Sequence, residues 1–93
     1  MFEGKKVIVR TYSAGVHFGT LAAQSGKEAH LTDVRRIWSW RGANTLNEIA
    51  LRGVGEGSRV SDTVPDILLT EAIEIIPCSD AAIANLGGVQ WKS

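Results

Sequence analysis

The sequence predicts an α+β fold, a small and mostly antiparallel sheet with one or two helices packed on it. Three observations carry this. Residues 6–40 are built from short β-branched or alternating runs broken by turn signals. Residues 45–54 switch to helical spacing behind a capping signal. Residues 67–76 then return to an isoleucine-rich strand pattern that stops at Pro77. The 93 residues suit a single domain spanning 1–93.

Lys6-Val7-Ile8-Val9-Arg10-Thr11-Tyr12 reads as the first strand. Ser13-Ala14-Gly15 bends the chain before Val16 to Leu21 resumes alternation as the second. Gln24-Ser25-Gly26-Lys27 is a turn signal, and Glu28 to Leu31 returns antiparallel to the second strand. Val34 to Trp40 is a separate strand, whose period of two puts Val34, Arg36, Trp38 and Trp40 on one face.

Leu46, Ile49, Ala50 and Val54 form a buried helical stripe. Thr45-Leu46-Asn47-Glu48 fits a capping box, with Asn44 as the alternative cap. Gly53, Gly55 and Gly57 end the helix and open a mobile loop through Asp62. Residues 67–76 read as one strand, and Ser79 or Asp80 caps a short second helix ending near Gly87-Gly88.

Ten Lys and Arg balance ten Asp and Glu. Residues 1–59 hold nine of the cations and five acids, a net +4, and residues 60–93 hold one cation and five acids, a net −4. The overall neutrality argues against nucleic-acid binding. No apolar run reaches the roughly 20 residues of a membrane span, and the single cysteine, Cys78, fits a reducing cytoplasm.

Three strings, residues 7–17, 35–43 and 68–78, resemble a family of small phage and prophage proteins that are mostly uncharacterised. The likeness runs from about residue 7 to residue 78. It implies a viral origin, residence in the cytoplasm of a host cell, and by association a role in countering host defence. It implies no chemistry.

The residues themselves exclude several chemistries. His17, His30 and Cys78 fall short of a zinc ligand set in number and spacing, so no metal is expected. Ser13 lacks a nucleophile elbow, and Gly53-x-Gly55-x-Gly57 opens no phosphate-binding helix. Neither an enzyme nor a cofactor is expected.

Arg35 to Thr45 is the segment richest in binding chemistry, with three arginines and two tryptophans leading into a helix start. Arg36 or Arg41 can fork onto phosphate oxygens, a tryptophan can stack a base, and free backbone N–H groups can receive an anion. Arg10, Tyr12, Arg36, Trp40, Arg41, Asn44 and Thr45 are therefore the expected ligand residues. Trp38 and Trp40 as plain core, with Thr45 and Asn44 only capping, is the competing reading. Trp91 near the end of the chain suits a subunit interface, so self-association is expected.

The expectation that follows is a non-enzymatic phage protein that sequesters a small anionic ligand, a cyclic or linear nucleotide signal. A protein–protein inhibitor of a host defence factor and a structural phage protein are the alternatives.

Overall fold

Strand β1 (Lys6–Thr11) carries Val7, Ile8 and Val9 in succession, and none of the three is exposed. A run that is apolar on both faces fits a strand covered on both sides, and the fold is organised around that requirement. The computed structural model describes residues 1–89. After β1 come β2 (Val16–Ser25), β3 (Glu28–Ser39), α1 (Leu46–Arg52), β4 (Arg59–Val60), β5 (Val64–Leu69), β6 (Ala72–Pro77) and α2 (Asp80–Gly88). The strand order is β4-β3-β2-β1-β6, with β5 also paired to β3, and all these pairings are antiparallel. The α+β class is as the sequence predicts.

One face of β1 is covered by the helices. Ile8, Phe18 and Ile37 pack there with Ile49 and Ala50 of α1 and Leu86 of α2. The other face is covered by the sheet's own outer half. Register breaks in β2, between Phe18 and Thr20 and between Leu21 and Ala23, bend the long β2–β3 hairpin. Asp33, at φ 50°, adds a left-handed residue in β3. The hairpin tip then meets the start of β6, where the Ala72 N–H donates to the Lys27 carbonyl at 2.9 Å. Leu21, Ala29, Leu31 and Val34, with Leu69 of β5, close over Val7 and Val9. Full burial of each such aliphatic side chain is worth roughly 1.5–3 kcal/mol.

Helix α1 starts where its capping signal says. Thr45 is the N-cap, its hydroxyl oxygen accepting from the Glu48 N–H at 3.3 Å, while Glu48 Oε1 accepts from the Asn44 N–H at 3.4 Å. Ser79 caps α2 by accepting from the Ala82 N–H, and its own hydroxyl donates to the Leu51 carbonyl, tying α2 to the end of α1.

Four expectations are corrected. Residues 28–31 and 34–40 are not two strands but one, β3, because the break at Asp33 is a bulge and not a turn. The inward face beside the helices carries Arg35 and Ile37, while Arg36 and Trp38 are exposed. Residues 67–76 divide at Thr70-Glu71 into β5 and β6, which join opposite regions of the sheet.

The 53–62 segment is not a free loop: it holds β4 and is tied to the rest of the fold. Asn85 clamps Val54 through both its backbone N–H (2.8 Å) and its carbonyl (3.0 Å). A Cβ on Gly53, at φ 84°, would collide with that Asn85 side chain. Val60 is fully buried in β4. Trp91, the expected interface residue, lies outside the described residues.

Candidate functional site

Four of the seven expected ligand residues converge. A groove of about 460 Å³ between β1, β6 and the start of α1 is lined by Arg10, Trp40, Asn44 and Thr45, together with Val16, Leu46, Asn47 and Glu74. Trp40 reaches it because the chain leaves β3 after Ser39 and turns the indole onto the helix-side core. Arg10 and Glu74 stand opposite each other across β1 and β6 and form an ion pair at 3.5 Å, with both side chains about half exposed. The groove thus has an indole wall, apolar contacts from Val16 and Leu46, and one guanidinium already facing a carboxylate.

The start of α1 contributes less than its sequence suggests. The helix has seven residues, and Thr45 and Glu48 already satisfy part of its first turn. Glu48 also places a negative charge where an anion would sit.

The other three expected residues lie elsewhere. Tyr12 is 79% exposed and lines a cavity of about 260 Å³ with Lys27, Glu71 and Ile73, where the turns after β1, β2 and β5 meet. Ser13 Oγ donates to Glu71 Oε1 there at 2.7 Å. Arg41 uses its backbone to hold the β4 approach, its N–H donating to Ser58 Oγ and its carbonyl accepting from the Gly55 N–H. Gly42, at φ 83°, lies against Gly55, and the missing Cβ lets the two backbones approach.

Arg36 lies on the opposite face from Trp40, in a separate cavity. Its Nε donates to His17 Nε2 at 3.2 Å. His17 is fully buried, and its Nδ1 has no hydrogen-bond partner. A neutral imidazole accepting at Nε2 carries its proton on Nδ1, so a buried donor is left unused. Burial, reinforced by the Arg36 charge, pushes the His17 pKa down to about 4. It is neutral at physiological pH.

Arg35, one residue earlier, is a structural cation that the sequence does not reveal. It is buried on the helix side, with Nε donating to the Ser61 carbonyl and Nη1 to the Leu86 carbonyl, both at 2.8 Å. Helix α2 has no basic residue in its own last turn, and Arg35 supplies the positive charge at that end. The only signal available was its alternation with the exposed Arg36.

Burial pushes the Cys78 thiol up to about 11, against the opposing pull of Lys6. The thiolate needed for nucleophilic chemistry is therefore scarce near neutral pH. Among the described residues, no three His, Cys, Asp or Glu side chains gather as a metal site, and no helix is long and apolar enough to cross a membrane.

No curated protein and no solved structure matches the chain significantly. The model of one family does match, over residues 4–86, and spans all six strands and most of α2. The chain belongs to that family, the domain of unknown function DUF6948.

Proposed function

We propose that this protein is a non-enzymatic binder of phage origin that captures a small anionic ligand, a nucleotide signal, in the Arg10–Trp40 groove and so counters a host defence. The observation that carries the reading is the convergence of Arg10, Trp40, Asn44 and Thr45 on one 460 Å³ groove, from segments up to 35 residues apart. That volume falls within the roughly 300–1,000 Å³ of small-molecule sites. A phosphate would displace Glu74 from Arg10, and the base would lie against the indole. Capture is stoichiometric and needs no reacting group. Self-association through the exposed Tyr12, Leu68 and Ile73 side chains belongs to the same proposal.

Native mass spectrometry and calorimetry with a panel of cyclic and linear nucleotides test it. The expected result is one nucleotide per groove, lost in Arg10→Gln and tightened in Glu74→Gln, which frees Arg10 from its partner. A protein that ignores the whole panel, or an Arg10→Gln variant that binds unchanged, overturns the reading. Such a failure would favour the protein-inhibitor reading. Its support is the exposed pair Tyr12 and Ile73 beside Lys27 and Glu71, an apolar spot rimmed by both charges.

A further inference from the structure

On the face opposite the groove, a second cavity of about 300 Å³ is lined by Val34, Arg36, Ser61, Asp62, Val64 and Ile67. Its two charges are unused. Neither Arg36 nor Asp62 has an ion-pair partner among the described residues, and they are not within ion-pairing distance of each other. Ser61 is fully engaged, its hydroxyl accepting from the Arg36 N–H and donating to the Asp62 carbonyl. These bonds fix the backbone that carries both charged side chains.

The feature that singles out this cavity lies beneath it. His17 is buried with an orphaned Nδ1–H, a desolvation cost that an aliphatic residue at the same position would avoid. What the imidazole does provide is a neutral acceptor for Arg36 Nε. A carboxylate there would hold the guanidinium equally well but would cancel its charge. A neutral histidine holds Arg36 in one orientation and leaves the charge intact, with Nη1 and Nη2 available to fork onto a carboxylate.

Asp62 decides the class of ligand. A plain anion at Arg36 would face this second carboxylate across a small cavity, and a plain cation would face the guanidinium. A molecule with a carboxylate and an ammonium close together satisfies both, and the apolar floor of Val34, Val64 and Ile67 suits a hydrocarbon side chain. The volume is at the lower end for ligand sites, which suits a metabolite of amino-acid size. We infer that this cavity binds an apolar α-amino acid, with Arg36 on its carboxylate, Asp62 on its ammonium and Val34, Val64 and Ile67 around its side chain. His17 is a positioning residue acting through Arg36. The site is independent of the Arg10–Trp40 groove, and neither reading rests on the other.

An NMR titration of the whole chain with L-leucine tests the inference, with 4-methylpentanoate (no ammonium) and 3-methylbutylamine (no carboxylate) as the truncated probes. Leucine is expected to shift the Val34, Ser61 and Ile67 resonances saturably, and each truncated probe to bind at least about tenfold more weakly, as the loss of one charged hydrogen-bonding group dictates. Arg36→Gln and Asp62→Asn alter exposed side chains and leave the fold intact; each should weaken leucine binding to a similar degree. His17→Leu should weaken it as well, while His17→Gln, which keeps an acceptor for Arg36, should retain most of it. Equal behaviour of the two His17 variants overturns the positioning role. Leucine binding that survives Arg36→Gln, a truncated probe that binds as tightly as leucine, or no saturable shift with leucine overturns the site.

Discussion

Arg10 and Arg36 occupy similar places, each on a sheet strand at the rim of a cavity, yet their partners differ in kind. Arg10 faces Glu74, a carboxylate that opposes its charge in the open. Arg36 is held by His17, a buried neutral ring that leaves its charge as it is. An exposed ion pair can be exchanged for a ligand with little loss, because water screens it and its net worth is small. A guanidinium pinned without neutralisation is prepared for an anion before one arrives. On the two proposals, the same side chain is a replaceable partner at one cavity and a fixed receptor at the other.

The largest expected effect tests the neutrality of His17. Its pKa is depressed to about 4 in the fold and returns to about 6.5 on unfolding. Between these values the unfolded chain binds the extra proton. Stability is therefore fully present above pH 6.5 and is lost as pH falls toward 4, by roughly 3 kcal/mol from this group. Urea midpoints measured at pH 7, 5 and 4 should show this loss, and His17→Leu should remove that share of it. If the variant keeps the full pH dependence, His17 is not neutral in the fold.

The next effect separates neighbouring arginines. Arg35→Met removes a buried cation that donates to two carbonyls, and about 2–3 kcal/mol should be lost in chemical denaturation. Arg36→Gln, one residue on but exposed, loses only its hydrogen bond to His17 Nε2 and should cost about 1 kcal/mol. Equal losses would mean that Arg36 is structural too, and the contrast between the two cavities would collapse.

The smallest effect concerns Glu74. Glu74→Gln should change stability by no more than about 1 kcal/mol, since both partners of the ion pair are half exposed. A larger loss would make the Arg10–Glu74 pair part of the scaffold and not a site a ligand can enter.

Local signals were legible where residue type and conformation coincide. The Thr45–Glu48 box, the Ser79 cap and the β1 run each announce themselves through short-range chemistry. The bulge at Asp33 was hidden, because an aspartate at positive φ carries no mark that distinguishes it from an ordinary turn residue. The reversal at Thr70-Glu71 lacks glycine, proline or asparagine, so β5 and β6 merged into one apparent strand. Half of the groove's lining is legible in the sequence, because Trp40, Asn44 and Thr45 are close along the chain and Arg10 sits at a strand end. Arg36 was grouped with them by proximity along the chain, and only the sheet register shows that it faces the other way, over His17. Burial of a lone histidine is a property of the assembled sheet, which no local pattern encodes.

The placement of β5 and β6 shapes how the chain meets its surroundings while it is being made. Strands β1 to β3 emerge from the ribosome first, and they wait for residues 59–77 to occupy the outer sides of β3 and β1. Until then the nascent meander presents bare strand edges, the form most prone to pair with another chain. Its first 59 residues carry a net +4, so two such intermediates repel each other. The acidic segment that follows neutralises this charge as its strands close the edges. The charge asymmetry of the sequence thus puts like charge on the part of the sheet that is open first and opposite charge on the strands that close it.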